Sequence, residues 1–300
     1  MVRKSKKQKE TFRTWLCQQF EQAGYSPAVE SSGKLLKSCN VVVGDAEKAE
    51  IILTAHYDTC AEMPFPNFIT PRNMFWYLLY QFLIVLVIFS LAIGAEIATI
   101  FLLDPPIFAA MQVMYAVLLC CCWWIMAGPA NPKTVNDNTS GVLTLLETAL
   151  ALEPEQRQSV CFVFFDNEEL GLLGSSAFAK QHKQVRHHRL VVNFDCVSDG
   201  DYLQFYPTKW VKRETATLKR IEEAYLPLAG KQVEVVRGFG FYPSDQKNFA
   251  RGVGVCALKK NRVGYYMNRI HTRNDTILDE RNIACFVQGN QRLLKLLKQK

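Results

Sequence analysis

Short apolar runs, most of them ending in a polar or acidic residue, recur along the chain and predict buried β-strands. These runs lie at 37–43, 50–55, 161–165, 190–194, 233–236 and 252–258. Amphipathic stretches separate several of them and predict α-helices. The stretches lie at 8–24, 142–152, 172–182, 212–228 and from 280 onward. Strands that alternate with helices predict an α/β fold in three layers, with a functional site along one edge of the sheet.

The pattern changes between residues 72 and 133, where Glu96 and Asp104 are the only charged residues. The stretch 73–95 has 23 residues without a charge, and 105–132 has 28. Each is long enough to cross a hydrocarbon core of roughly 30 Å. We therefore expect a hairpin of two transmembrane helices whose turn contains the two acids. The alternative is a pair of buried core helices, although such helices rarely contain apolar runs of this length.

The predicted hairpin divides the chain into three segments. Residues 1–71 and 133–300 are expected to fold together, while 72–132 form an insertion that contacts the lipid bilayer through residues 73–131. Basic residues lie at the N-terminus and beside both ends of the hairpin, whereas its turn carries acids. The positive-inside bias therefore predicts a cytoplasmic N-terminus and a cytoplasmic folded domain. The N-terminal stretch has no apolar signal core, which agrees with this orientation.

Composition argues against several other classes of protein. Hydrophobic residues make up 49% of the chain, which is typical of a folded core rather than of disorder. A net charge of +7 without a nucleic-acid-binding motif argues against a nucleic-acid partner. The ten cysteines form neither a CxxC pair nor the framework of a small secreted domain. We therefore expect a reducing compartment.

The densest cluster of candidate catalytic residues follows the predicted strand at 161–165. Asp166, Glu168 and Glu169 come directly after it, and a Leu/Gly segment then opens a helix. Ligands of α/β sheets bind at the carboxyl ends of strands, so acids at this position are expected to belong to a site. Taken alone, the stretch is equally compatible with a solvated acidic turn before a helix.

Other strand ends and loops add residues of the same chemical types. The candidate set is His56, Asp58, Asp137, Glu168, Glu169, Asp195 and His271. Two imidazoles with several carboxylates are the usual ligands of a catalytic zinc site, whereas structural zinc sites normally use cysteines. An odd number of carboxylates suits two cations roughly 3.5–4 Å apart that share a bridging carboxylate, as in aminopeptidases.

Five short motifs at these positions resemble those of the co-catalytic di-zinc exopeptidases, family twenty-eight of the metallopeptidases. Its relatives include glutamate carboxypeptidase, the transferrin receptor and glutaminyl cyclases. The motifs are AHYDT at 55–59, NDNTSG at 136–141, DNEELGLLGS at 166–175, NFDCV at 193–197 and RIHTRNDT at 269–276. Each motif is weak alone, but all five occur in the family's order. The resemblance implies a zinc-exopeptidase-like α/β/α sandwich with a mixed central sheet, which the hairpin interrupts.

The resemblance also implies a role for each candidate residue. His56 and Asp195 would hold one zinc ion, Glu169 and His271 the other, and Asp137 would bridge them; Glu168 would be the general base, and Asp58 would orient His56. The base takes a proton from the attacking water and passes it to the leaving amine. The Asp137–Asn138 peptide bond is expected to be cis. Gln246 replaces the family's histidine after Ser244 and Asp245, so these residues receive no role.

These observations predict a membrane-anchored aminopeptidase that uses two zinc ions to remove N-terminal residues from peptides. We expect an integral protein of a bacterial plasma membrane with its catalytic domain in the cytoplasm. Two alternatives remain: a glutaminyl-peptide cyclotransferase-like enzyme with a single zinc ion, and a non-catalytic membrane receptor or assembly protein with a peptidase-like domain. The NDN context of Asp137 and the complete ligand set favour hydrolysis. The sequence predicts neither the oligomeric state nor the preferred N-terminal residue.

Overall fold

A computed structural model describes residues 1–34, 36–228 and 230–299. Lys300, the last residue of the predicted third segment, lies outside the described residues. The helices are α1 (Lys6–Gln22), α2 (Met74–Leu103), α3 (Ile107–Ala127), α4 (Ser140–Leu150), α5 (Pro154–Arg157), α6 (Leu173–Gln181), α7 (Lys183–His188), α8 (Thr215–Ala224) and α9 (Glu280–Lys298). Short helical turns lie at Val135–Thr139, Val211–Arg213 and Asp245–Asn248. The strands are β1 (Pro27–Ser32), β2 (Ser38–Val43), β3 (Ile51–His56), β4 (Val160–Phe165), β5 (Leu190–Phe194), β6 (Tyr202–Pro207), β7 (Gln232–Val235), β8 (Gly252–Asn261) and β9 (Gly264–Tyr266).

The strands form one mixed sheet with the order β1-β2-β4-β3-β5-β8-β6-β7, and β9 pairs with β8. At its centre, β4, β3, β5 and β8 are parallel. On one side of this group β2 is antiparallel to β4, and on the other β6 is antiparallel to β8. Because the four central strands run in the same direction, their carboxyl ends meet along one edge of the sheet.

Helices cover both faces of the sheet, which confirms the predicted α/β/α layers. Successive residues of a strand point to opposite faces. In β3, Leu53 belongs to the apolar cluster built with α1, α4, α8 and α9, whereas Ile52 belongs to the cluster built with α6 and α7. The strands β3, β4 and β5 are buried along their whole length, as expected of a sheet covered on both sides.

Helices α2 and α3 pack against each other as a hairpin. Their mean hydropathies are 2.5 and 1.9, and only 6% of the most apolar stretch of each is buried. At about 1.5 Å per residue, the 30 residues of α2 span about 45 Å and the 21 residues of α3 about 32 Å. Both helices are long and apolar enough to cross a membrane. The exposure of both helices argues against the alternative of buried core helices.

The turn of the hairpin is shorter than predicted. Helix α2 continues through Glu96 as far as Leu103, and the chain reverses at Asp104, whose φ is +43°. A single glutamate does not end a helix because it is a good helix former, whereas the Pro105–Pro106 pair does. The division of the chain at residues 71 and 132 stays a prediction.

Three strands of the described residues, β1, β6 and β9, were missing from the predicted set. Strand β1 has no apolar alternation, since it is a half-exposed strand at the edge of the sheet. The predicted helix at 212–228 is shorter, because α8 ends at Ala224 and Pro227 follows. These differences leave the central strands, which carry the candidate site, where they were predicted.

Candidate metal centre

Three of the parallel strands deliver candidate residues to one edge of the sheet. His56 is the last residue of β3, Asp195 follows β5 directly, and Glu168 is the third residue after β4. Because β3 lies between β4 and β5, these three strand ends are neighbours. Asp137 comes from the helical turn before α4, and His271 comes from the loop between β9 and α9.

The segment that carries Asp137 is held against the end of β5. The Asp137–Asn138 bond is cis, as the resemblance implied. The side chain of Asn138 donates to the carbonyl of Phe194 at 2.8 Å and accepts from the amide of Gly141 at 3.0 Å. A Cβ at position 141 would lie 2.3 Å from the carbonyl oxygen of Phe194, so only glycine allows this close approach. The turn is thereby fixed beside Asp195.

The two carboxylate oxygens of Asp137 face different imidazoles. Oδ1 lies 3.2 Å from Nε2 of His56, and Oδ2 lies 3.0 Å from Nε2 of His271. Oδ1 of Asp195 lies 3.5 Å from Nε2 of His56, and Oε2 of Glu169 lies 3.5 Å from Nε2 of His271. Each imidazole therefore faces the shared aspartate and one further acid. This arrangement is typical of two cation positions with a bridging carboxylate.

Three groups of potential ligand atoms lie close enough to share a cation. The groups are His56, Asp137 and Asp195; His56, Glu168 and Glu169; and Cys60, Asp137, Glu169 and His271, and within each the atoms lie within 4.8 Å of one another. Oε1 of Glu169 is buried and has no hydrogen-bond partner among the described residues. Buried polar atoms without a partner are rare, and a cation would supply one here. The side chains therefore fit a divalent metal centre.

Asp58 contacts more of the centre than the resemblance implied. Its Oδ1 lies 3.4 Å from Nδ1 of His56, the ring nitrogen that does not face Asp137. Its carboxylate also accepts from the backbone amides of Glu168 at 3.0 Å and Glu169 at 3.2 Å. Burial raises the pKa of Asp58, but the neighbouring imidazole of His56 outweighs burial and holds that pKa below its ordinary value. Asp58 thus contacts both the imidazole of His56 and the backbone of Glu168 and Glu169.

The pKa values of the centre are strongly shifted. Burial raises the pKa of Glu168 well above its ordinary value and the pKa of Glu169 to about 8. Burial lowers the pKa of His271, but the charges of Glu169 and Asp137 outweigh burial and raise that pKa to about 9. A cluster of buried groups with perturbed pKa values is typical of a functional site.

A family model matches more than half of the chain. The model of "Peptidase family M28" covers residues 117–284. The chain belongs to peptidase family M28. The matched range includes Asp137, the acid pair after β4, Asp195 and His271, whereas His56 and Asp58 precede it.

Several proteins that are similar to this chain are named as aminopeptidases, exopeptidases or glutaminyl cyclases. Part of it is similar to "Probable lipoprotein aminopeptidase LpqL" of Mycobacterium tuberculosis, with 33% identity over 116 residues that cover 33% of this chain and 23% of that protein. Its fold is similar to that of the LapA aminopeptidase of Legionella pneumophila, with a TM-score of 0.57, 16% identity, and coverage of 99% of this chain and 65% of that chain. A glutaminyl cyclase of Porphyromonas gingivalis and a Zn-dependent exopeptidase from Parabacteroides distasonis each give a TM-score of 0.59 at 14% identity. In both comparisons 100% of this chain and 92% of the other chain are covered. The chain thus spans less than a quarter of LpqL and less than two thirds of LapA, and the structural similarities concern the fold alone.

Two residues that received no role in the sequence analysis support the centre of this M28 peptidase. The carboxylate of Asp275 accepts from the backbone amides of Asn136 at 2.6 Å and Asp137 at 3.0 Å. The hydroxyl of Ser244 donates to Oδ2 of Asp195 at 2.6 Å. Asp275 stands in the motif at 269–276 and Ser244 in the altered Ser-Asp loop, but the partners of both lie far away in the chain, so only the fold shows these contacts.

A connecting loop, residues 60–66, joins the candidate metal centre of the chain to its hairpin. The amide of Met63 donates to the carbonyl of His271 at 2.8 Å, and the indole of Trp124, near the end of α3, donates to the carbonyl of Glu62 at 3.1 Å. Residues 64 and 65 of the loop line two cavities. One is a polar cavity of about 760 Å³ beside the loop of His271, and the other is an apolar cavity of about 850 Å³ between α2 and α3.

Proposed function

We propose that this M28 peptidase is a membrane-anchored, zinc-dependent aminopeptidase that removes N-terminal residues from peptides. The observation that carries the proposal is the position of Asp137 between His56 and His271, with one carboxylate oxygen toward each ring. A carboxylate shared between two sets of ligands suits a pair of cations. Imidazoles and carboxylates that leave a position open suit catalytic zinc.

Two zinc ions would share Asp137 in this proposal. His56 and Asp195 would hold one ion, and Glu169 and His271 the other. When bound, zinc lowers the pKa of water and polarises a scissile carbonyl group. The unpartnered Oε1 of Glu169 supports a cation at the second position.

Glu168 is the proposed general base. Its carboxylate lies in one group with His56 and Glu169, and burial raises its pKa well above the ordinary value. A carboxylate with a raised pKa accepts a proton more readily. Glu168 would take a proton from the attacking water and deliver it to the leaving amine. Asp58 would hold Glu168 in place through the backbone amide that it accepts from.

Replacement of Glu168 tests this role. We expect Glu168→Gln to lower kcat by about 10²–10⁴-fold with unchanged zinc content, because glutamine keeps the shape but not the basicity of the side chain. Hydrolysis of aminoacyl fluorogenic substrates, with and without a chelator, gives kcat, and atomic emission gives the zinc content. Glu155→Gln, at an exposed glutamate of α5, is the matched control. Unchanged turnover in Glu168→Gln would remove Glu168 from the mechanism.

Metal stoichiometry separates this proposal from the alternatives. Two zinc ions per chain and release of N-terminal residues would support the aminopeptidase. One zinc ion and cyclisation of N-terminal glutamine would favour a cyclotransferase. A chain that binds no metal and turns over neither substrate would have a non-catalytic role.

The hairpin is proposed to anchor the enzyme in a bacterial plasma membrane, with the metal centre on the cytoplasmic side. The length and hydropathy of α2 and α3 support the anchor, and the basic residues beside both ends of the hairpin support the orientation. The connecting loop places an apolar cavity of the hairpin next to the polar cavity beside His271. We therefore expect substrates with an apolar body, such as peptides generated at or in the membrane.

A variant without the hairpin tests the substrate preference. In the full chain in detergent, we expect faster cleavage of membrane-derived peptides than of soluble peptides of equal length. This preference should disappear when residues 74–128 are replaced by a short Gly/Ser linker. If the two proteins have the same preference, the hairpin does not select substrates, and the aminopeptidase proposal is unaffected.

A further inference from the structure

Cys60 lies inside the metal centre although the sequence analysis gave it no role. It is the fourth residue after His56, and it is 1% exposed. Its Sγ belongs to one group with ligand atoms of Asp137, Glu169 and His271, all within 4.8 Å of one another. The mutual distances allow one cation to contact all four atoms after small side-chain movements.

The surroundings of Cys60 differ from those of the other buried cysteines. Five of the ten cysteines, all of which lie in the described residues, are buried. Four of them belong to the apolar clusters around the sheet, and one of the four, Cys196, also donates its thiol to Oδ1 of Asp195 at 3.2 Å. These four are Cys161, Cys196, Cys256 and Cys285. Cys60 belongs to none of these clusters and instead faces carboxylates and an imidazole.

The backbone around Cys60 is fixed from two sides, so the position of its thiol is set by the fold. The carbonyl of Cys60 accepts from the amide of Asn131 at 3.1 Å, and the next residue, Ala61, forms a β-bridge with Ala130. On the other side, the amide of Thr59 donates to the carbonyl of Arg3. The neighbouring Oε1 of Glu169, whose side chain is 9% exposed, has no hydrogen-bond partner among the described residues. This second observation marks the same group as a place for a cation.

We propose that the thiolate of Cys60 is a fourth protein ligand of the metal ion held by Asp137, Glu169 and His271. The inference rests on the proposed function and adds to it that the two cations have different kinds of protein ligand. With four protein ligands, one of them a thiolate, this ion would have no position left for water or substrate. The other ion, with His56, Asp137 and Asp195, keeps an open position for water or substrate. The thiol proton is released to solvent when the cation binds.

Cobalt(II) reports this ligand directly, because a thiolate bound to cobalt gives a charge-transfer band in the near ultraviolet that carboxylates and imidazoles do not give. The full chain is purified in detergent under reducing conditions, stripped of metal and titrated with cobalt(II). We expect the band to grow with one of two cobalt equivalents. In Cys60→Ser the band should be lost, while the visible bands of bound cobalt remain. Cys17→Ser, at a partly buried cysteine of α1, is the matched control and should keep the band.

The possible outcomes separate this inference from the proposed function. Two bound cobalt ions without a charge-transfer band in the unmodified chain would overturn the role of Cys60 and leave the two-metal centre standing. A band that persists in Cys60→Ser would also overturn it. A chain that binds no cobalt at all would overturn the proposed function together with this inference. The absence of the band from the unmodified chain would overturn the role of Cys60 even if Cys60→Ser does not fold.

Discussion

Cation binding should depend on pH, because the pKa values of Glu169 and His271 are both raised above their ordinary values. Burial raises the pKa of Glu169 to about 8; burial lowers the pKa of His271, but Glu169 and Asp137 raise it to about 9. A cation needs both groups without protons. Its apparent affinity should therefore rise between about pH 6 and 9, by about tenfold per pH unit for each proton released. Calorimetric zinc titrations in two buffers with different heats of ionisation measure affinity and proton release. An affinity independent of pH in this range would contradict the combination of raised pKa values and a ligand role for these two residues.

Asp275 should affect cation binding without contacting the cation. Its carboxylate accepts from the amides of Asn136 and Asp137, and Asp275→Asn leaves only one acceptor oxygen for the two donors. Loss of such support for a ligand typically costs 10–100-fold in metal affinity. We expect a weakening of this size in zinc titrations of Asp275→Asn.

The control for Asp275 is an aspartate with the same local role elsewhere. Asp45 also accepts from two backbone amides, those of Glu47 and Lys48, but in an exposed turn. Asp45→Asn should bind zinc as the unmodified chain does. Equal affinities of the Asp275 and Asp45 variants would mean that Asp275 does not position Asp137.

The sequence predicts a residue of the candidate site when that residue stands in one of the five motifs. His56, Asp137 and His271 stand in such motifs, and the structure brings them together at one strand edge, while their roles as ligands remain proposals. Cys60 stands in none of these motifs, and Ser244 stands in a loop where Gln246 replaces the family's histidine. A hydroxyl or a thiol is common in loops, and only the fold decides whether it faces a ligand or the core.

At the scale of elements, α1 is joined to the acidic loop after β4 by a buried ion pair. Nζ of Lys9 lies 2.6 Å from Oδ1 of Asp166, with the two side chains 10% and 3% exposed. Removal of one partner leaves the other charge buried and unpaired, which costs about 3–5 kcal/mol. We expect Lys9→Met to lower the free energy of unfolding by this amount, measured in urea by tryptophan fluorescence.

A double-mutant cycle shows whether the loss of stability in Lys9→Met comes from the ion pair itself. In an Asp166→Asn background, which has no buried carboxylate to leave unpaired, Lys9→Met should cost much less. Lys7→Met, at an exposed position of the same helix, should change stability little. If Lys9→Met costs the same in both backgrounds, its effect comes from lost packing rather than from the ion pair.

Strands are predictable where the apolar pattern of their sequence agrees with their burial in the fold. The strands β3, β4 and β5 are apolar throughout because both faces are covered, and they were found within one residue at each end. The sequence does not predict strand β6, because polar residues such as Gln204 interrupt its apolar pattern, although the fold buries them. Gln204 donates to Glu234 and accepts from Tyr206, contacts that only the assembled sheet provides.

At the scale of the whole molecule, the hairpin should decide where the protein is found. We expect the full chain to stay with the membrane fraction after extraction with alkaline carbonate, because α2 and α3 are long, apolar and almost free of buried residues in their most apolar stretches. A variant with residues 74–128 replaced by a Gly/Ser linker should move to the soluble fraction and keep its zinc. Release of the full chain by carbonate would exclude a membrane-spanning hairpin.

The order of the strands also has a consequence for biogenesis. On the ribosome β2 and β3 emerge before the hairpin, but β4, which lies between them in the sheet, emerges after it. About a hundred residues separate β3 from β4, which corresponds to roughly 5–20 s of translation. Throughout this interval the nascent chain exposes strand edges that cannot yet pair, and such edges invite aggregation. The hairpin is therefore synthesised before the sheet can be completed, and a chaperone that shields the early strands would act during this interval.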